Sequence, residues 1–195
     1  MTQSPSERRA VTNRRIYETA IRLFLERGYD EVSVSDIATA AEVSVPTFYA
    51  HFSNKEHIVL PLPDRPAVQA ALVGRTFGVN VFPALRDGIL DWLRSYQGRD
   101  LADLLDRWTV VVAHPALRLR AAEYERATAE MVLESLPPAA VLPERRLATT
   151  LVVIALFSSY TLTLLRWAEE GGTRSLVEVA DEVLTTLNSL GGPPG

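Results

Sequence analysis

The sequence predicts an all-α protein: an N-terminal three-helix unit over residues 1–60, followed by a larger helical bundle over residues 61–195. Three observations carry this. No segment keeps the period-2 alternation of a half-buried strand, whereas apolar residues recur at spacings of three and four along the chain. Serines and prolines open the periodic segments, and glycines or a proline pair close them. With 195 residues, 47 % apolar and 23 % charged, the composition is that of an ordinary soluble protein with a substantial core.

The first helix is expected from about Glu7 to Arg27, with Ile16, Ala20, Leu23 and Phe24 on one face and Gly28 as a left-handed stop. "SVSD", Ser33 to Asp36, is a capping box opening a short second helix that turns Ile37, Ala38 and Ala41 inward. After the break "EVS", Ser44 caps a third helix and puts Pro46 in its first turn, where the missing N–H has no acceptor to lose. Phe48 and Phe52 then lie ~40° apart and point into a small core. Pro46, Thr47, Ala50 and His51 fall on the other side, with Tyr49 on the flank. "SNKE", Ser53 to Glu56, is a second capping box opening the next helix. Two short helices joined by a tight turn and braced by a longer one form a helix-turn-helix. Its outward face, small and polar, with the helix's positive end leading, suits a DNA major groove.

Beyond Val59, "LPLPDRP" places Pro61, Pro63 and Pro66 where no helix can continue, so the link is either a hinge or a plain short connection. Further helices are expected at 66–76, 82–97, 100–113, 116–135, 143–169 and 174–190, with stops at Gly78, Gly98, Pro115, Pro137-Pro138 and Gly171-Gly172. Leu147 to Leu165 has no charge over 19 positions, long enough for a membrane span. Seven of those residues carry hydroxyls (Thr149, Thr150, Ser158, Ser159, Tyr160, Thr161, Thr163), so the expectation is a core helix and no membrane.

Charge and chemistry narrow the function. The net charge is −4, and residues 1–58 hold seven basic against eight acidic groups, so no coat of positive charge binds nucleic acid. Four of those basic residues fall between Arg8 and Arg15, a short arm that serves either a phosphate backbone or a solvated helix end. There is no cysteine, and "MTQSPSERRAVTNRR" has no apolar core of a secretion signal, so a cytoplasmic location is expected. His51, His57 and His114 form no metal set, no glycine-rich phosphate loop is present, and Glu169-Glu170 are adjacent rather than on one helical face. The expectation is no enzyme, no metal and no cofactor.

"AIRLFLERGYDEV" followed by "SVSDIATAAEVSVPTFYAHFSNKEHIV" resembles the DNA-binding domain of the TetR (tetracycline-repressor) family of bacterial transcriptional regulators. The pattern is met by Phe24, Gly28, Ile37, Ala38, Val43, Ser44, Thr47, Phe48, Tyr49, His51, Phe52, Lys55 and Glu56, over roughly residues 10–60. Glu42 stands where a turn glycine is usual and takes on left-handed strain, and Pro46 replaces a common glycine. The resemblance implies that Thr47, Tyr49 and Lys55 bind backbone phosphates, the alternative for Lys55 being a solvated side chain. Val45, Pro46, Ala50 and His51 become candidates for base contacts, the apolar ones through thymine methyls. Arg14 and Arg15 are candidates for phosphate or minor-groove contact. Ser33 and Ser44, at the mouths of the motif's two helices, complete the expected DNA-binding set.

The same resemblance implies a double-stranded, palindromic DNA operator, a homodimer formed through the last two helices, and repression relieved by a small-molecule effector. The stripe Leu176, Val179, Val183, Leu187 fits the dimer role. Trp92, Trp108, His114, Tyr124, Phe157 and Tyr160 are candidates to line the effector pocket, or to be plain core. The effector is expected to be apolar or aromatic. The alternative reading is a helical interaction protein whose helix-turn-helix is a relic.

Overall fold

The computed structural model describes residues 4–61 and 65–190. Among these the chain is helical from end to end, with no strand. Helix α1 spans Pro5–Arg27. Ser4 and Glu7 cap it reciprocally, each backbone N–H donating to the other's side chain at 2.6 and 3.2 Å. It stops at Gly28, whose N–H reaches the Phe24 carbonyl at 3.0 Å with φ at +89°. Its buried face is Ile16, Ala20, Leu23 and Phe24, as the spacing predicts.

Helix α2 (Val34–Ala40) opens on the Ser33–Asp36 box and buries Ile37 and Ala38. The turn to α3 (Val45–His51) runs through Glu42 at φ +53°, so the strained position read from the sequence is real. Phe48 is fully buried and stacks near Phe52, ring centroids 5.9 Å apart. Helix α4 is a single turn, Glu56–Val59. Here the expected Ser53 capping box does not form. Asn54 Oδ1 accepts the His57 N–H at 2.8 Å instead, and the Ser53 hydroxyl bonds the His57 ring. The helix ends at Leu60, and residues 62–64 of the proline-rich link, including Pro63, lie outside the described residues.

The bundle comprises α5 (Arg65–Leu72), α6 (Phe82–Ser95), α7 (Gly98–Ala113), α8 (Pro115–Ser135) and, after a 3-10 turn at Pro138–Ala140, α9 (Arg146–Glu169) and α10 (Leu176–Leu190). Helix α5 is shorter than expected because Gly74, at φ +76°, ends it before Gly78. Helix α9 is the axis, packed against α6, α7, α8 and α10. It is also the one described helix long and apolar enough, by length and composition, to cross a bilayer, and 33 % of that stretch is buried within the chain.

One expectation about the last helices is corrected. The α10 stripe Leu176, Val179 and Val183 is buried within the chain itself, with α9 and α6 as its neighbours. The unpaired apolar face lies on α9, where Leu147, Leu151, Ile154 and Leu162 are 74, 58, 49 and 53 % exposed. These residues recur at four, three and eight positions, one stripe of an α-helix.

Head and bundle share a joint. Tyr17 donates to the Asp103 carbonyl at 3.1 Å, and the Tyr29 N–H donates to His114 Nε2 at 3.0 Å. Arg120 pairs with Glu56 at 3.1 Å, and the Tyr124 hydroxyl reaches the other Glu56 oxygen at 3.3 Å.

Candidate nucleic-acid interface and inner cavity

Helix α3 is positioned from beneath. Phe48, at the centre of the turn, anchors it to the α1–α2 core, and the helix therefore turns its other face to solvent. That face carries Val45, Pro46 and Ala50, all exposed, and Tyr49, 54 % exposed with its ring edge against Phe48 at 5.4 Å. Ser44 caps the helix: its Oγ accepts the Thr47 N–H at 3.1 Å and lies 2.8 Å from the Thr47 hydroxyl. Ser33 does the same for α2, accepting the Asp36 N–H while its hydroxyl donates to the Asp36 carboxylate at 2.6 Å. The Ser33 hydroxyl first, and then the Ser33 backbone N–H donating at 2.9 Å, hold the Asp36 carboxyl below its ordinary range.

At the other end of α3, Arg9 donates to the Ala50 carbonyl at 2.9 Å. Burial, then the Arg9 charge, push His51 below the ordinary imidazole range, which favours the neutral ring, and its Nδ1 is buried without a hydrogen-bond partner. Arg9 drew notice in the sequence only as one of a basic cluster, since its partner lies 41 residues away. Arg15 and Arg8 are exposed and make no ion pair among the described residues.

Two expected DNA-binding residues are placed elsewhere. Arg14 faces the bundle: it hydrogen-bonds both oxygens of Asp103 on α7, at 2.9 Å for the longer, and pairs with Glu18. The Asp103 hydrogen bond is the main cause of its raised pKa. Arg14 is a joint residue, because α1 runs against α7 on that side. Lys55 turns its ammonium inward to the carbonyls of Tyr29 and Val32, at 2.8 and 3.0 Å, and over the Tyr29 ring at 4.2 Å. The turn between α1 and α2 leaves those carbonyls without helical partners, and the lysine satisfies them.

A cavity of about 300 Å³ lies inside the bundle between α5, α6, α7, α8 and α9. Trp92, Trp108, Tyr124, Phe157 and Tyr160 line it, so five of the six candidate ligand residues meet there. The sixth, His114, does not; its ring accepts from Tyr29 at the joint. Val59, Leu60 and Pro61, at the end of α4, form one wall, so the cavity touches the head directly. Burial raises the Tyr124 hydroxyl to about 12 and raises Tyr160 further, so both are neutral donors at pH 7. Arg107 and Glu125 are the charged side chains on the wall, and neither was singled out from the sequence. Among the described residues no group of three or more histidine or acidic side chains is placed to hold a metal.

A three-helix head with one face of α3 exposed, joined to a hollow helical bundle, defines an all-α helix-turn-helix protein. Residues 16–62 match the family model described as "Bacterial regulatory proteins, tetR family". The HTH-type transcriptional regulator EthR of Mycobacterium tuberculosis is 40 % identical over 65 residues, which are 33 % of this chain and 30 % of that protein. TcmR of Streptomyces glaucescens is 38 % identical over 76 residues, 38 % of this chain and 34 % of that one. The chain thus spans about a third of the length of these curated relatives. Among solved structures, NalD of Pseudomonas aeruginosa, a secondary repressor of a multidrug efflux pump, superposes with a TM-score of 0.64 at 21 % identity, over 94 % of this chain and 96 % of that one. Thermus thermophilus FadR, in complex with lauroyl-CoA, gives 0.51 at 24 % identity, over 94 % of this chain and all (100 %) of that one. At those identities the likeness is one of fold.

Proposed function

We propose that the protein is a dimeric, cytoplasmic DNA-binding repressor released from a palindromic operator by a small molecule. The observation that carries this is the α3 surface: Phe48 is buried while Val45, Pro46, Tyr49 and Ala50 stand free on the opposite side. In this reading α3 enters a major groove, Val45, Pro46 and Ala50 touch thymine methyls, and neutral His51 meets a base edge. Thr47 and Tyr49 hold phosphates, with Ser33 and Ser44 at the helix mouths and Arg15 on the flanking arm. Lys55 acts indirectly, by fixing the α1–α2 turn.

A palindromic operator requires two heads, and the Leu147, Leu151, Ile154, Leu162 stripe of α9 supplies a surface for a second copy. The cavity supplies the control. An occupant presses on Val59–Pro61 and on Tyr124, whose hydroxyl holds Glu56, so a state with shifted α4, and hence mis-spaced α3 helices, becomes favoured. The fold shared with FadR, whose structure holds lauroyl-CoA, is consistent with an occupied bundle.

Fluorescence anisotropy with a promoter duplex from the protein's own chromosomal neighbourhood tests the reading. Affinity should fall steeply with salt, and Tyr49→Ala should lower it about tenfold. Equal affinity for that duplex and for random DNA would defeat the regulator assignment.

A further inference from the structure

We propose that the inner cavity takes a small amphipathic monocarboxylic acid, its carboxylate held by Arg107 and its apolar body filling the aromatic interior. This rests on the reading of the cavity as an effector site and names the effector's chemistry.

Among the described residues three buried side-chain polar atoms lack a hydrogen-bond partner: His51 Nδ1, Arg107 Nε and Glu170 Oε2. Of these, only Arg107 lines the cavity. Several other arginines sit on carboxylates, among them Arg14, Arg75, Arg86, Arg118, Arg120 and Arg166. Arg107 makes no ion pair among the described residues. A guanidinium does not shed its proton, so a partly buried one without a partner is costly until an anion arrives.

The nearby carboxylates are committed. Asp103, one turn before Arg107 on α7, is held by Arg14. Glu125, across the cavity on α8, accepts from Ser158 at 2.5 Å and comes no closer than 4 Å to Arg107. The remaining lining is overwhelmingly apolar, with Trp92, Trp108 and Phe157 as its largest faces. Tyr160 lines the same cavity, and its hydroxyl, kept neutral by burial, is a further donor available to a carboxylate there. Glu125 repels a second negative charge, which selects a monoanion over a phosphate ester or dicarboxylate. Size agrees: a cavity of about 300 Å³ suits a small organic molecule.

Trp92 and Trp108 report occupancy through intrinsic fluorescence, while Trp167, hydrogen-bonded to Arg174 behind α9, is a constant background. The full chain is titrated, without DNA, with octanoate, octanol and octylamine. Octanoate should bind about tenfold or more tighter than octanol, with octylamine weakest. Arg107→Met should erase the preference for the acid while keeping octanol affinity. Equal affinity of the wild type for acid and alcohol, binding of none of the three, or an unchanged preference in Arg107→Met each overturns the proposal. The comparison of acid with alcohol needs only the wild type, so it decides even where Arg107→Met does not fold. Operator release is read separately: octanoate that binds without releasing DNA overturns the regulator reading and leaves the carboxylate site standing.

Discussion

Lys55 shows at the residue scale how a side chain's type is legible in a sequence while its partner is not. The family resemblance implies a phosphate partner for it, yet its ammonium turns back to carbonyls 23 and 26 residues upstream. Arg14 repeats the lesson with a partner 89 residues downstream. Spacing encodes which face of its own helix a residue occupies, and long-range pairing lies outside that code. Lys55→Ala should therefore destabilise the head by about 1.5–3 kcal/mol, because two turn carbonyls lose a charged donor. Thermal unfolding followed by circular dichroism would show a midpoint several degrees lower, and an unchanged midpoint would return the lysine to the DNA surface. Tyr49→Ala, at a ring more than half exposed, should leave the midpoint nearly unmoved, within about 0.5 kcal/mol.

At the scale of the element, the helix limits were legible because serines, glycines and prolines act locally. Ser33 and Ser44 cap as such residues do, and Gly28 stops α1, whose start at Pro5, capped by Ser4, lies two residues before the expected Glu7. The misses arose where two local signals competed: Asn54 took the cap from Ser53, and Gly74 preceded Gly78. Glu42, at φ +53°, leaves a stabilising change open. Glu42→Gly should raise stability by roughly 0.5–1 kcal/mol, read as a higher denaturant midpoint. Gly172→Ala should act in the opposite sense, by about 1–3 kcal/mol, since its Cβ would meet Leu105 Cδ2 at 2.5 Å on a backbone at φ +67°. The Ser33–Asp36 box adds a pH dependence. Asp36 has a lowered pKa in the fold, so its contribution is present above the ordinary carboxylate range and fades as pH falls through about 4 and below. Asp36→Asn should flatten that part of an acid titration of helix content.

At the scale of the whole molecule, composition and periodicity revealed an all-helical fold, but not which face of α9 stays bare. The Leu176–Val183 stripe was read as a partner surface and is interior, because an apolar stripe reads the same whichever side covers it. The cavity was half legible. Its aromatic wall was read from residue type, while Arg107 went unnoticed, since a lone arginine on a helix ordinarily faces water. Leu151→Glu tests the bare α9 face: light scattering should give the chain mass of 21.6 kDa where the wild type gives twice that. Operator affinity should fall with it, because each head then binds alone. The most direct measurement is selection of duplexes from a random library by the wild-type chain and by Tyr49→Ala. The wild type should enrich a palindrome with half-sites one or more helical turns apart, about 10 base pairs or a multiple, and Tyr49→Ala should enrich it far less. No enrichment over the input, or equal enrichment by both proteins, would contradict the assignment of the Val45–Ala50 face as the DNA-reading surface.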